Sequence, residues 1–193
     1  MLPISNMIKK WDDMVPDKEK DIFQIKKIVS GNSFPFSYQP ELWEKFKSTT
    51  NCYAYALNAL YPNRFPENEL YYLGAFSGNE WRLPRKEDHP VDLLFEDLDV
   101  LGLNVRDSTL EESVPKNAYK ICLLSRRVGL LGGNFHFFRQ DVEGFWSHKY
   151  GWNTLPTNKY RGDTIITSPE SAKMCYRILG YYIISHKLHG NAC

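Results

Sequence analysis

Cys52 has the residue type and the sequence position of a catalytic nucleophile. Four polar residues at 48–51, Ser-Thr-Thr-Asn, are candidate N-caps for a run of good helix formers that extends from Cys52 to Leu60. A cysteine in the first turn of a helix lies beside unpaired N–H groups and the positive end of the helix dipole, which favour the thiolate. We therefore expect a lowered thiol pKa at Cys52 and attack on a carbonyl whose oxyanion a backbone N–H stabilises.

A nucleophilic cysteine needs a base, and His136 is the strongest candidate. It lies in a β-rich run that ends at the turn sequence Asp141-Val-Glu-Gly144, and a second β-rich run then leads to His148. Glycine at the end of the turn favours a three-residue hairpin loop in which Asp141 pairs with Phe145. That register makes the two histidines diagonal neighbours on one face of the sheet. A four-residue loop would instead put the residues on either side of His148 on that face.

Together these residues can serve as nucleophile, base and orienter of the base. Asp141 is the main rival to His148 as orienter, although the favoured register points its side chain to the opposite face. A thiol next to an imidazole is expected to form a thiolate–imidazolium pair, which raises the pKa of the histidine. The structural alternative is that Cys52 is a small buried hydrophobe and the histidines are hydrogen-bonded core residues.

The same residues carry a resemblance to a known family. A cysteine at a helix start, followed by an antiparallel sheet with His136 and, twelve residues later, His148, resembles the NlpC-like branch of the papain-like cysteine peptidases and amidases. The segments Asn-Cys-Tyr-Ala-Tyr-Ala at 51–56 and His-Phe-Phe-Arg-Gln-Asp at 136–141, with Trp-Ser-His-Lys-x-Gly at 146–151, are similar to a poorly characterised bacterial subgroup. The resemblance implies Cys52 as nucleophile, His136 as base and His148 as orienter. The Asp-Cys-Ser-Gly pattern usual in cell-wall hydrolases is absent, which argues against a peptidoglycan substrate.

Residues near these motifs are expected to contact the substrate, which would be a peptide, a protein or another molecule with an amide bond. They are Asn51, Tyr53, Trp81, Trp146 and Tyr150. Peptidase, amidase, deamidase and transglutaminase reactions share one acyl-enzyme, so the sequence leaves all four open. The alternative from another class is a non-catalytic papain-like module, for example a secreted bacterial effector, that grips a peptide or glycan in an aromatic cleft around Trp81, Trp146 and Trp152.

The elements that must position these residues change type along the chain. Helical spacing of apolar residues predicts helices at 16–31, 40–46, 52–60 and 88–101, whereas later runs at 119–125, 135–140, 145–150 and 177–185 alternate as strands do. A turn is expected at Gly132-Gly-Asn134. This order predicts an α+β, papain-like (NlpC-like) fold with N-terminal helices packed on an antiparallel β-sheet. We expect a single domain at 1–193, with a helical extension at 1–47, a catalytic core at 48–185 and a tail at 186–193.

Composition limits the partners and the compartment. The 193 residues include 24 Lys and Arg against 23 Asp and Glu, so nucleic acid is not an expected partner. His186, His189 and Cys193 have metal-ligand types without an evident fourth ligand, and we expect no metal and no cofactor. No apolar run is long enough for a transmembrane segment, and the first residues lack a secretory signal pattern. We therefore expect a cytoplasmic protein, or one delivered to a host cell by a signal-independent secretion system, and leave the oligomeric state open.

Overall fold

Most described helices precede the strands, as the sequence predicts, and one short helix at 169–172 lies between the last two strands. The computed structural model describes residues 18–61, 72–78, 89–128 and 132–187. Its helices are α1 (Lys18–Ser30), the 3-10 helix η1 (Pro40–Phe46), α2 (Cys52–Ala56), α3 (His89–Val100) and α4 (Pro169–Ala172). Its strands are β1 (Leu103–Ser108), β2 (Ala118–Val128), β3 (Gly132–Gln140), β4 (Trp146–Lys149), β5 (Pro156–Thr157), β6 (Lys159–Tyr160), β7 (Thr164–Ile165) and β8 (Arg177–His186).

An antiparallel sheet forms the centre of the fold. Its six strands run in the order β1-β8-β2-β3-β4-β5, and β6 and β7 form a separate pair. A strand of the sheet was not predicted and one predicted turn was wrong. The edge strand β1 was not predicted, because it is short and half polar and owes its conformation to pairing with the distant β8. The turn expected at Gly132-Gly-Asn134 is part of β3, where Asn134 pairs with Arg126.

The sheet has a core on each face because side chains alternate along every strand. On one face, Phe135 and Phe137 of β3 join the larger core together with residues of α1, α2 and α3. On the other face, Phe138 packs in a smaller cluster with Cys122, Leu124, Trp146, Ile166 and Ala172. Alternation therefore places His136 on the side of the smaller cluster, and the face that carries Phe137 is the one against which α2 packs.

Helix α2 is shorter than the run of helix formers predicts. Asn58 adopts a left-handed conformation with φ of 51°, and the N–H of Ala59 turns back to the carbonyl of Ala54 at 2.9 Å. The Asn58 side chain donates to Asn32 Oδ1 at 3.2 Å, so a residue that follows α1 fixes the point where α2 ends. The sequence shows the helix former Leu60 but not this tertiary contact.

A buried carboxylate ties the segment at 72–78 to the helices. Asp97 of α3 accepts hydrogen bonds from the Tyr53 hydroxyl at 2.9 Å and from the N–H groups of Gly74, Phe76 and Ser77 at 2.7, 3.0 and 2.7 Å. Asp97 is fully buried.

Among the described helices, none is long and apolar enough to cross a bilayer.

Candidate active site

Cys52 is the first residue of α2, as its cap sequence predicts. The Asn51 side chain accepts hydrogen bonds from the N–H groups of Tyr53 and Ala54, both at 3.0 Å, and so caps the helix. The backbone N–H groups of Phe137 on β3, of Tyr53 and of Cys52 itself favour the charged form of the Cys52 thiol. Asn51 was expected to contact the substrate, but the structure uses its side-chain oxygen to fix the helix that carries the cysteine.

Loss of this cap is expected to weaken the fold measurably. Asn51→Ala should lower the free energy of unfolding by about 1 kcal/mol, because two N–H groups at a buried helix start lose their acceptor. Asn51→Asp keeps an acceptor oxygen and serves as the matched control. Urea denaturation of the three proteins measures the difference, and an alanine variant as stable as the aspartate variant would contradict the capping role.

The β3–β4 hairpin has the register that the turn sequence favours. The N–H of Asp141 donates to the carbonyl of Phe145 at 2.9 Å, and Gly144 adopts a left-handed conformation with φ of 83°. The strand pairs are Arg139 with Ser147 and Gln140 with Trp146. The prediction of a three-residue loop closed by glycine is confirmed.

This register brings the two histidines into contact. His136 Nε2 and His148 Nδ1 are 2.7 Å apart, in hydrogen-bond contact, with the rings nearly perpendicular. Both residues are buried, with exposed fractions of 7% and 0%. Because Nε2 of His136 is engaged with His148, Nδ1 is the nitrogen of that ring that remains to exchange a proton with a thiol.

Strands β3 and β4 separate at His148. The first two residues of β4 pair with β3, whereas His148 and Lys149 pair with Thr157 and Pro156 of β5. Cys52 belongs to the larger core, on the face that carries α2, and alternation places the His136 side chain on the other face of β3. The backbone N–H of Phe137, the residue after His136, acts on the Cys52 thiol.

The protonation states differ from those expected. Burial raises the pKa of Cys52 to about 12, although the N–H of Phe137 and the charge of Lys149 act in the opposite direction. Burial also lowers the pKa of His136 to about 4. The expectations of a lowered thiol pKa and a raised histidine pKa were both wrong, because a five-residue helix, three backbone N–H groups and the charge of Lys149 do not offset the loss of water around the sulfur. At neutral pH the site holds a thiol and an uncharged imidazole.

Asp141, the rival orienter, lies on the other face of β3. Its carboxylate is 3.7 Å from the guanidinium of Arg139, and burial raises its pKa to about 6. Arg139 in turn donates to the backbone carbonyl and the hydroxyl of Tyr55 on α2, both at 3.1 Å. The side chain that is hydrogen-bonded to His136 is therefore that of His148, and Asp141 belongs to the contact between α2 and the sheet.

The residues expected to contact the substrate differ in their exposure. Tyr53 and Trp146 are fully buried, and the Tyr53 hydroxyl binds Asp97, so both are core residues that a substrate does not reach in this conformation. Tyr150 is 38% exposed, and its ring lies 4.2 Å from the ring of His148, measured between centroids. It stays at the site, and Trp152, two residues later in the chain, is exposed as well. Trp81 lies outside the described residues.

Lys149 is a site residue whose role the sequence did not reveal. Its side chain is buried, and Nζ donates to the carbonyls of Lys47, Thr50 and Gly151 at 3.1, 2.7 and 2.6 Å. Burial lowers its pKa to about 8. Alternation along β4 was the available signal, since it puts the residue after His148 on the face of α2.

The described residues hold no group of three His, Cys, Asp or Glu side chains placed to bind a metal ion. His186 instead contacts the carbonyl of Asn32 at 2.7 Å through Nε2. His189 and Cys193, the other members of the C-terminal group, lie outside the described residues. Cys52, Cys122 and Cys175 are unpaired thiols.

Comparison with known proteins gives one informative match. Over 131 residues, which make up 67% of this chain, the sequence is 30% identical to insoluble matrix shell protein 1 of Ruditapes philippinarum, and the match spans 76% of that protein. No family model matches the sequence. No solved structure matches it significantly either.

Proposed function

The chain belongs to the family of insoluble matrix shell protein 1, and for this member we propose a thiol enzyme, a hydrolase or acyl transferase that acts on an amide bond. Cys52 is the nucleophile, His136 the base and His148 the orienter of the base. The observation that carries the proposal is the 2.7 Å contact between His136 Nε2 and His148 Nδ1. The residue after His136, Phe137, has a backbone N–H that favours the thiolate of Cys52. We also propose that the α+β fold is papain-like, of the NlpC-like branch. The order of the helix-start cysteine and the two strand histidines supports this assignment.

The neutral resting site implies general-base catalysis. As the Cys52 sulfur forms a bond to the substrate carbonyl carbon, the thiol proton passes to His136 and the carbonyl electrons move to the oxygen. When the C–N bond breaks, His136 returns the proton to the leaving nitrogen and an acyl-enzyme remains. Water or an amine then attacks the acyl carbon, gives its proton to His136 and releases the thiol.

The oxyanion of this reaction has a defined donor. Asn51 already takes the N–H groups of Tyr53 and Ala54. The N–H of Cys52 itself, which in the resting site acts on its own sulfur, is the helix-start donor that we assign to the oxyanion. His148 holds the His136 ring in the orientation that keeps Nδ1 toward the thiol.

A second candidate function is a non-catalytic module that binds peptide or glycan. Two observations favour it: the Cys52 thiol is buried, and Tyr150 and Trp152 present exposed aromatic surface, with exposed fractions of 38% and 55%. The name of the relative describes an insoluble matrix protein of a shell. By analogy, this module would bind an insoluble polymer through its aromatic surface.

Acylation by p-nitrophenyl acetate separates the two candidates. We expect fast acetylation that peptide mass spectrometry maps to Cys52, in the wild type and in Cys175→Ala, which removes an exposed unpaired thiol. Cys52→Ala should lose this fast reaction and keep only the slow acetylation of exposed groups. Acetylation of Cys52 only after denaturation would reject the enzyme and favour the binding module.

The substrate can then be sought in a reduced cell lysate. We propose a reducing compartment, the cytoplasm of the producing cell or of a host cell, because the described cysteines are unpaired. Wild-type and Cys52→Ala protein are incubated with the lysate and their products are compared by mass spectrometry. New peptide termini identify a peptidase, deamidated glutamines a deamidase and isopeptide bonds a transglutaminase.

Removal of the orienter is expected to reduce the acylation of Cys52 without abolishing it. His148→Ala should lower the rate by about 10- to 100-fold, because the His136 ring loses its fixed orientation. Water that enters the space should also move the acid limb of the pH profile upward, from the His136 pKa of about 4 toward the ordinary value. His148→Gln, which keeps a hydrogen-bonding group, is the control. A wild-type rate and pH profile in His148→Ala would contradict the role.

A further inference from the structure

Lys149 is a buried cation attached to the segment that leads into Cys52. Nζ donates to the Thr50 carbonyl at 2.7 Å, two residues before the cysteine, and to the Lys47 carbonyl at the end of η1. The third acceptor is the carbonyl of Gly151, beyond the end of β4. The side chain thus crosses from β4 to the start of α2 on the face that carries Cys52, while the side chain of His148 projects to the other face.

The positive charge of Lys149 acts mainly on Cys52. The groups that face Nζ from η1, from the start of α2 and from the end of β4 are uncharged carbonyls. Among the described residues, the titratable side chain that acts on it is Cys52, whose thiolate would raise the lysine pKa, as the ammonium lowers that of the thiol. Both residues are buried, so water screens this attraction little.

From this geometry we propose that Lys149 is the positioning residue that fixes the start of α2 and stabilises the negative charge on the Cys52 sulfur as His136 takes the thiol proton. The inference rests on the proposed thiol chemistry. Two consecutive residues of β4, with side chains on opposite faces of the sheet, would then have complementary roles. His148 orients the base, and Lys149 holds the nucleophile. A lysine that only anchored the loop would affect stability but not the charge on sulfur.

Alkylation of Cys52 by iodoacetamide between pH 6 and 9 separates these roles. At pH 7 we expect Lys149→Met to react about tenfold more slowly than the wild type, which corresponds to one unit in the thiol pKa. Lys149→Arg should restore most of the rate, because it retains the charge. The wild-type advantage over Lys149→Met should disappear above about pH 8, where Lys149 loses its proton, and Lys149→Arg should keep it.

Lys120 provides a matched control. It is also a buried lysine, and its Nζ donates to the carbonyls of Thr109, Leu110 and Glu112, a segment that does not lead into the cysteine. Lys120→Met should lose stability but leave the alkylation rate of Cys52 unchanged. Equal rates in Lys149→Met and the wild type, or an equal loss in Lys120→Met, would overturn the proposal.

A reciprocal measurement keeps the test valid if Lys149→Met does not fold. Coupling between two charges acts on both, so a permanent carboxylate in place of the thiol must raise the pKa of Lys149. In Cys52→Asp we expect Lys149, followed by NMR of its ¹³Cε, to titrate about one unit higher than in Cys52→Asn. Identical titrations would overturn the inference. This comparison needs no catalysis, so its result is independent of whether Cys52 is acylated.

Discussion

Replacing His136 by alanine is expected to slow the acylation of Cys52 by about 10²- to 10⁴-fold, the usual contribution of a positioned general base. The effect is large because the Cys52 thiol has a pKa of about 12 and is almost fully protonated at pH 7. Without a base, attack depends on the small fraction of thiolate. The measurement is the rate of p-nitrophenol release, with the acetylated peptide confirmed by mass spectrometry.

A second strand histidine serves as the control for this substitution. His186 of β8 contacts the carbonyl of Asn32 and stacks on Phe34, so His186→Ala also removes a half-buried imidazole from the fold. It should leave the acylation rate unchanged after correction for the folded fraction. If His136→Ala and His186→Ala had the same rate, the role of His136 as base would be wrong.

The largest effect on stability is expected at Asp97. Asp97→Ala removes the acceptor of four hydrogen bonds. The Tyr53 hydroxyl and three backbone N–H groups at 74–77 then lose the carboxylate to which they donate. We expect a loss of about 3–5 kcal/mol in the free energy of unfolding, because buried donors without a partner cost about 1–3 kcal/mol each and some will rehydrate. Thermal and urea denaturation measure this loss.

Asp99 on the same helix is the matched control for Asp97. Its carboxylate is exposed and binds Lys187 at 2.6 Å at the surface, where ion pairs contribute little. Asp99→Ala should therefore unfold with the wild-type midpoint. If Asp97→Ala did the same, the carboxylate would not hold the segment at 72–78 against the helices.

Local patterns predicted the hairpin and the histidine pair well. The Asp-x-x-Gly turn fixes the loop length, and strand alternation then puts His136 and His148 on one face, so no tertiary information is needed. The start of α2 was predictable for the same reason, since Asn51 caps its own helix. These features depend on residues that are close together in the sequence.

Features that depend on distant residues were not predictable. The end of α2 is set by contact of Asn58 with Asn32, and strand β1 by its pairing with β8. The predicted direction of the shift in the thiol pKa was wrong, because a cap sequence indicates the helix dipole but not how deeply the sulfur is buried. The role of Lys149 was not predictable because its three carbonyl acceptors come from segments that only the fold brings together.

The pH dependence of Cys52 acylation tests the catalytic site most directly. If neutral His136 takes the thiol proton, the rate should be nearly constant between pH 5 and 7.5 and should fall as the pH drops through the His136 pKa of about 4, where the protonated ring can no longer act as a base. The rate of His136→Ala should instead rise tenfold per pH unit over the whole range. A wild-type rate that rises tenfold per unit from pH 5 to 7.5 would show an unassisted thiol and contradict the proposed enzyme.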